Sequence, residues 1–129
     1  MGDMSGRRVL LVEDSDVAAS LLQYLLMGDG WTVSICRDGR DAARFIETEP
    51  PVSVALLDIL LPYNSGFHLV QMIRAHATWK DVPVMMLTGN AKRKHMIRAM
   101  ELGANDCMLK PFQPEEVLAR LRRLVQVPA

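Results

Sequence analysis

A chain of 129 residues fits one globular domain and leaves little room for a second. Half of its residues are hydrophobic and 23% are charged, which favours a packed core over a disordered chain. Its formal net charge is zero, which argues against strong whole-molecule attraction to nucleic acid or to an anionic membrane.

The N-terminal residues MGDMSGRR lack the apolar core of a secretory signal peptide. No apolar run approaches the roughly 20 residues that span a bilayer. Cys36 and Cys107 lie in short apolar runs without metal-ligand spacing, and this is typical of buried free thiols in a reducing compartment. We therefore expect a cytoplasmic protein with a flexible segment over residues 1–7 and one domain over residues 8–127.

Short apolar runs alternate with helical patterns along the chain. The predicted strands are Val9–Val12, Thr32–Cys36, Val54–Asp58, Val82–Thr88 and Cys107–Lys110. The predicted helices are Asp16–Met27, Gly39–Thr48, Phe67–Ala77, Ala91–Leu102 and a last one from Pro114 to about Val125. Because the strands are apolar throughout, they predict a parallel sheet covered on both faces by helices. Right-handed crossovers then give a doubly wound (βα)5 α/β sandwich.

Functional side chains follow four of the five predicted strands at the point where each strand ends. They are Glu13 and Asp14 at strand one, Asp58 at strand three, Thr88 at strand four and Lys110 at strand five. Strand two is followed only by Arg37 and Asp38, which offer nothing comparable. Ligands of open parallel sheets bind outside the carboxyl ends of the strands, so these side chains are expected to share one edge.

The three carboxylates predict a site for a hard divalent cation, because like charges that lie close together repel. Mg²⁺ accepts oxygen ligands and often joins carboxylates to a phosphate. An aspartate can also be a nucleophile that forms an aspartyl phosphate, while a lysine and a hydroxyl stabilise the transferring phosphoryl group. Taken singly, Asp14 and Thr88 are more often caps or turn residues and Lys110 a surface lysine. Only their joint occurrence favours this chemistry.

The motifs VLLVEDS, ALLDILLP with a following Gly66, MMLTG and LKPF resemble the receiver domain of two-component response regulators. The resemblance covers about residues 8–125 and implies a flavodoxin-like sheet of strand order 2-1-3-4-5. It implies that Asp58 is the phosphoacceptor and that Asp14 binds Mg²⁺ directly, with Glu13 bound mostly through water. The backbone carbonyl of Leu60 would be a further metal ligand.

The same resemblance implies roles for the other residues at this edge. Thr88 would donate a hydrogen bond to the phosphoryl group and Lys110 would pair with it. The Lys110–Pro111 peptide bond is expected to be cis. Leu60 and Asn90 lie at positions that modulate the lifetime of the phosphate, and Gly89 would leave space for the phosphate to enter.

As a response-regulator receiver, the chain would accept a phosphoryl group from the phosphohistidine of a sensor histidine kinase or phosphotransfer protein. Phosphorylation would then change the face formed by the fourth helix, fifth strand and fifth helix. That face would bind a downstream effector or form a dimer. The domain is expected to catalyse only its own phosphoryl transfer and autodephosphorylation, and otherwise not to be an enzyme. It is also expected to make no direct contact with nucleic acid or membrane.

Cys107 departs from the family pattern, because family members often carry an aromatic residue three positions before the lysine. A cysteine is too small to replace the ring whose rotation accompanies the switch. Cys107 could instead be a redox sensor, although nothing nearby in the sequence obviously lowers its pKa.

Two other classes of protein compete with the receiver interpretation. One is a pseudo-receiver that binds partners without phosphorylation, and the intact acidic cluster argues against it. The other is an aspartyl-phosphate phosphatase of the same superfold, which normally needs a further catalytic acid and a cap domain that the sequence does not show.

Overall fold

The computed structural model describes residues 6–89 and 93–125, and within them five strands alternate with five helices. The strands are β1 (Arg8–Val12), β2 (Thr32–Cys36), β3 (Val54–Asp58), β4 (Val84–Thr88) and β5 (Asp106–Leu109). The helices are α1 (Asp16–Gly28), α2 (Gly39–Thr48), α3 (Gly66–Ala75), α4 (Arg93–Glu101) and α5 (Pro114–Val125). All pairings are parallel and the order is β2-β1-β3-β4-β5. The predicted doubly wound (βα)5 sandwich is thus confirmed.

The sheet is covered by helices on both faces, as the apolar strands predict. Along β1, Leu10 packs into the core on one side of the sheet and Leu11 into the core on the other. Every residue of β3 and β4 is buried. The two edge strands, each with only one neighbour, are less completely buried: Thr32 of β2 is exposed and the next three residues are half-buried, and Leu109 of β5 is exposed. Full burial therefore holds for the central strands β3 and β4 and is incomplete at the two edges of the sheet.

Several predicted boundaries differ from the structure by one residue, and two differ by two residues for local reasons. β4 begins at Val84 and not at Val82, because the Val82 N–H donates to the carbonyl of Trp79 in a turn and Pro83 has no N–H to pair. α3 ends at Ala75 and not at Ala77, because His76 leaves the helical conformation with ψ at 137°. The predicted start of the fourth helix at Ala91, most of the N-terminal segment and the end of the predicted domain lie outside the described residues.

The loop between β1 and α1 is closed by a helix cap next to the acid pair. The Ser15 hydroxyl accepts a hydrogen bond from the Ala18 N–H at 3.3 Å, so Ser15 is the N-cap and Asp16 begins the helix. This cap places the acid pair between the end of a buried strand and a fixed helix start.

None of the described helices is long and apolar enough to cross a membrane.

Candidate functional site

The three predicted carboxylates meet at the carboxyl edge of the sheet. Glu13 and Asp14 directly follow β1, and Asp58 is the last residue of the neighbouring strand β3. One carboxylate oxygen from each residue lies within 4.8 Å of those of the other two. The parallel pairing of β1 with β3 brings the acid pair next to Asp58, although Asp58 lies more than forty residues further along the sequence.

Glu13 and Asp58 are buried, whereas Asp14 is exposed. The Glu13 carboxylate accepts a hydrogen bond from the Ser15 N–H at 3.1 Å. The Asp58 carboxylate accepts one from the Leu60 N–H, also at 3.1 Å. These backbone donors offset part of the desolvation cost of each buried charge.

Lys110 provides the main neutralisation of the two buried carboxylates. Its ammonium donates to Asp58 Oδ2 at 2.9 Å and also pairs with the carboxylate of Glu13. Burial by itself lowers the pKa of Lys110, but the hydrogen bonds and charges of Glu13 and Asp58 outweigh that effect, so the net pKa lies above its usual value. The lysine therefore stays charged at neutral pH.

The net negative charge of the cluster equals the positive charge of one divalent cation. Three carboxylates and one ammonium leave two net negative charges at this edge. The donor set consists of carboxylate oxygens with one exposed member, Asp14, which suits a hard cation that retains water. Glu13, Asp14 and Asp58 therefore fit Mg²⁺.

The other predicted site residues lie around this cluster. Thr88 is fully buried at the end of β4, and its carbonyl accepts the Lys110 backbone N–H at 2.8 Å. The Lys110–Pro111 peptide bond is cis, as predicted. A Cβ on Gly89 would lie 3.7 Å from the Lys110 side chain, an ordinary contact, so the structure gives no steric reason there for a glycine. Leu60 extends its side chain into solvent.

The predicted roles of these residues concern bound states and stay predictions. This applies to the metal-ligating carbonyl of Leu60, to phosphate entry beside Gly89 and to the hydrogen bond from Thr88. Asn90 lies outside the described residues.

Both thiols are buried and electrostatically disfavoured as thiolates. Burial raises the pKa of Cys36 to about 11, with Asp41 and Asp38 adding to the rise. Burial also raises the pKa of Cys107, to which Asp106 adds and which Arg120 partly counters. A redox sensor needs a lowered thiol pKa, so the environment of Cys107 argues against that role.

Two further residues shape the site: Gly66, which stands in one of the family motifs without an assigned role, and Arg37. A Cβ on Gly66 would lie 2.4 Å from the carbonyl oxygen of Asp58, so only a glycine lets α3 begin this close to the end of β3. Arg37 donates to backbone carbonyls of the acid pair. The sequence shows that Arg37 follows β2, the strand next to β1. It gives no reason to expect a functional side chain at the end of that strand.

Fold and site together define the class of protein: a doubly wound α/β domain with an acidic cluster at the carboxyl edge of its parallel sheet. Residues 9–122 match the family described as "Response regulator receiver domain". The chain belongs to this family, and the family resemblance of its motifs is confirmed.

Two curated relatives are named as transcriptional regulatory proteins. The transcriptional regulatory protein GltR of Pseudomonas aeruginosa is 36% identical over 122 residues, which are 95% of this chain and 50% of that protein. The alkaline phosphatase synthesis transcriptional regulatory protein PhoP of Bacillus subtilis is 34% identical over 120 residues, 93% of this chain and 49% of that protein. The chain spans about half the length of the curated relatives it matches.

Solved receiver domains share the fold. A putative response regulator from Chloroflexus aurantiacus superposes with a TM-score of 0.87 at 33% identity, covering 92% of this chain and 97% of that one. The receiver domain of a sensor histidine kinase from Pseudomonas aeruginosa PAO1 gives 0.85 at 32% identity, with coverages of 93% and 98%. That structure has a magnesium ion coordinated in its active-site cleft.

Proposed function

We propose that this domain is a phosphorylation-switched receiver whose phosphoacceptor is Asp58. The observation that carries the proposal is the position of Asp58: it lies within 4.8 Å of two further carboxylates and is hydrogen-bonded to Lys110. The phosphodonor is the phosphohistidine of a sensor histidine kinase or phosphotransfer protein. In the transfer, a P–O bond to the Asp58 carboxylate forms while the P–N bond to the imidazole breaks, and the imidazole keeps the electron pair of that bond.

The site residues divide the task of holding and neutralising the phosphoryl group. Glu13, Asp14, Asp58 and the carbonyl of Leu60 hold Mg²⁺, which when bound offsets the negative charge of the phosphoryl oxygens. The Leu60 N–H already fixes the Asp58 carboxylate through Oδ1. That hydrogen bond keeps the nucleophile oriented before the donor arrives.

Lys110 and Thr88 respond to the new charge on Asp58. The Lys110 ammonium, now shared between Glu13 and Asp58, moves toward the phosphoryl oxygens, and the Thr88 hydroxyl donates to them. Thr88 is the last residue of β4 and Lys110 directly follows β5. The two are joined by the hydrogen bond from the Lys110 backbone N–H to the Thr88 carbonyl. A charge change on Asp58 is thereby coupled to the ends of β4 and β5.

The readout is a change in the face formed by α4, β5 and α5. Ile97 and Met100 are exposed on α4 and lie with Cys107 in an open, mainly apolar groove. Exposed apolar residues beside a switch element suit an interaction with a downstream effector or with a second copy of the domain. The small side chain of Cys107 implies that a residue other than a rotating aromatic ring transmits the change.

Phosphorylation by a small phosphodonor tests the proposal. Acetyl phosphate with Mg²⁺ is expected to add one phosphoryl group to the wild type, detected by intact-protein mass spectrometry, and none to Asp58→Asn. Asp81→Asn, which removes a carboxylate from an exposed site away from the cluster, is the matched control and should behave like the wild type. Equal labelling of wild type and Asp58→Asn would reject Asp58 as the acceptor.

Beryllofluoride with Mg²⁺ separates the receiver from a phosphorylation-independent interaction module. A receiver should change its amide NMR spectrum saturably, with the largest shifts at the carboxyl edge of the sheet and along α4 and β5. An unchanged spectrum would favour the pseudo-receiver.

A further inference from the structure

Arg37, the residue directly after β2, is hydrogen-bonded to the backbone of both members of the acid pair. Its Nε donates to the Glu13 carbonyl at 2.9 Å, and one terminal nitrogen donates to the Asp14 carbonyl at 3.1 Å. The same nitrogen pairs with the carboxylate of Asp16 at the start of α1. One side chain from the edge strand therefore binds the loop between β1 and α1 at three positions.

The backbone of Glu13 is held on both sides by the end of β2. Its N–H donates to the carbonyl of Cys36 at 3.1 Å, and its carbonyl accepts from Arg37. A planar guanidinium offers donors in fixed directions, so it can serve two neighbouring carbonyls at once. The lysine ammonium has a flexible stem and does not impose this geometry.

The first residue of α2, two positions after Arg37, contacts the loop that follows Asp58. The Gly39 N–H donates to the carbonyl of Pro62 at 2.9 Å. A Cβ on Gly39 would lie 1.8 Å from the carbonyl oxygen of Asn64, so the two segments are in direct backbone contact. The segment from Arg37 to Gly39 thus contacts both loops that adjoin the carboxylates.

We propose that Arg37 is a positioning residue for the divalent cation. It holds the Glu13–Asp14 backbone so that both carboxylates face Asp58. The inference rests on the proposed function, because it assumes that the cluster binds Mg²⁺. It adds a role for the end of the second strand, which supplies no ligand itself.

Charge and positioning predict effects of opposite sign when Arg37 is removed. A cation beside the cluster repels Mg²⁺, so its loss alone would tighten metal binding. Loss of the hydrogen bonds frees the Glu13–Asp14 backbone and loosens the ligand geometry, which weakens binding. The sign of the change in Mg²⁺ affinity therefore distinguishes the two roles.

The experiment is a calorimetric titration of the purified chain with MgCl₂ at fixed ionic strength. We expect Arg37→Ala to raise the dissociation constant about tenfold, the lower end of the range seen when a partner of metal ligands is lost. Arg37→Lys keeps the charge and should still bind more weakly than the wild type. Arg44→Ala removes one positive charge from the exposed side of α2 and should bind no more weakly than the wild type.

A metal-free measurement provides an independent readout. The Ser15 N–H donates to the Glu13 carboxylate, so its hydrogen exchange reports the order of this loop. Exchange should be faster in Arg37→Ala and unchanged in Arg44→Ala. Both variants should keep the wild-type circular dichroism spectrum.

Unchanged or tighter Mg²⁺ binding by Arg37→Ala would overturn the inference. If that variant fails to fold, Arg37→Lys decides, and wild-type affinity in it would overturn the inference equally. If the wild type itself binds no Mg²⁺ and accepts no phosphoryl group, the proposed function fails. Ser15 exchange still decides in that case whether Arg37 orders the acid-pair loop.

Discussion

Replacing Asp14 with asparagine should stabilise the metal-free domain, because it relieves repulsion within the carboxylate cluster. At 4.8 Å, two like charges repel by about 0.9 kcal/mol in water and by about 3.5 kcal/mol at an effective dielectric constant of 20. Asp14 is exposed, so the lower value applies to each of its two pairs. Lost attraction to the Lys110 ammonium cancels part of this gain. The net expectation is a rise of about 1 kcal/mol in the free energy of unfolding.

Mg²⁺ should remove this advantage. A ligand at ten times its dissociation constant stabilises the folded wild type by about 1.4 kcal/mol. The variant has lost an exposed ligand and gains less, so the order of stability between the two proteins should reverse as Mg²⁺ is added. The charge that destabilises the metal-free fold is thus the charge that binds the metal.

Urea denaturation and thermal unfolding, both followed by circular dichroism, measure both effects, first with EDTA and then with increasing Mg²⁺. In EDTA, the thermal midpoint of Asp14→Asn should lie about 4 °C above that of the wild type. Glu47→Gln makes the same charge change on the exposed face of α2 and should show neither effect. Lower stability of Asp14→Asn in EDTA, or equal gains from Mg²⁺ in both proteins, would refute the reasoning.

The remaining predictions concern a close backbone contact and a buried thiol. Gly66→Ala should lower the free energy of unfolding by about 1–3 kcal/mol, because its Cβ would meet the Asp58 backbone at 2.4 Å. Gly28→Ala, with open space around its Cβ at the end of α1, should raise stability by up to about 1 kcal/mol, and similar urea midpoints for the two would contradict this contrast. At pH 8, Cys36 should be a thiolate in only about one molecule in a thousand, because its pKa is about 11. Its alkylation in the folded protein should therefore be slow and rise about tenfold per pH unit toward pH 11, and fast alkylation at neutral pH would contradict the pKa.

The sequence by itself determined the order of the elements and the edge at which the site lies. Apolar runs such as Val54–Asp58 are local patterns, and a parallel sheet follows from their lack of alternation. The position of a polar residue after such a run also fixes its edge, since parallel strands all end on the same side. Glu13, Asp58 and Lys110 could therefore be assigned to one site before any contact was known.

Only the tertiary structure decided which contacts those residues make. Lys110 bridges Glu13 and Asp58 across 97 and 52 residues of sequence, and that geometry depends on the register of the sheet. Burial differs sharply within the acid pair, because Glu13 lies beneath Lys110 while Asp14 faces solvent. The contacts of Arg37 escape sequence reasoning for a related reason: its partners are backbone carbonyls in the loop after the neighbouring strand. Every residue has such a carbonyl, so the sequence does not indicate which one is bonded.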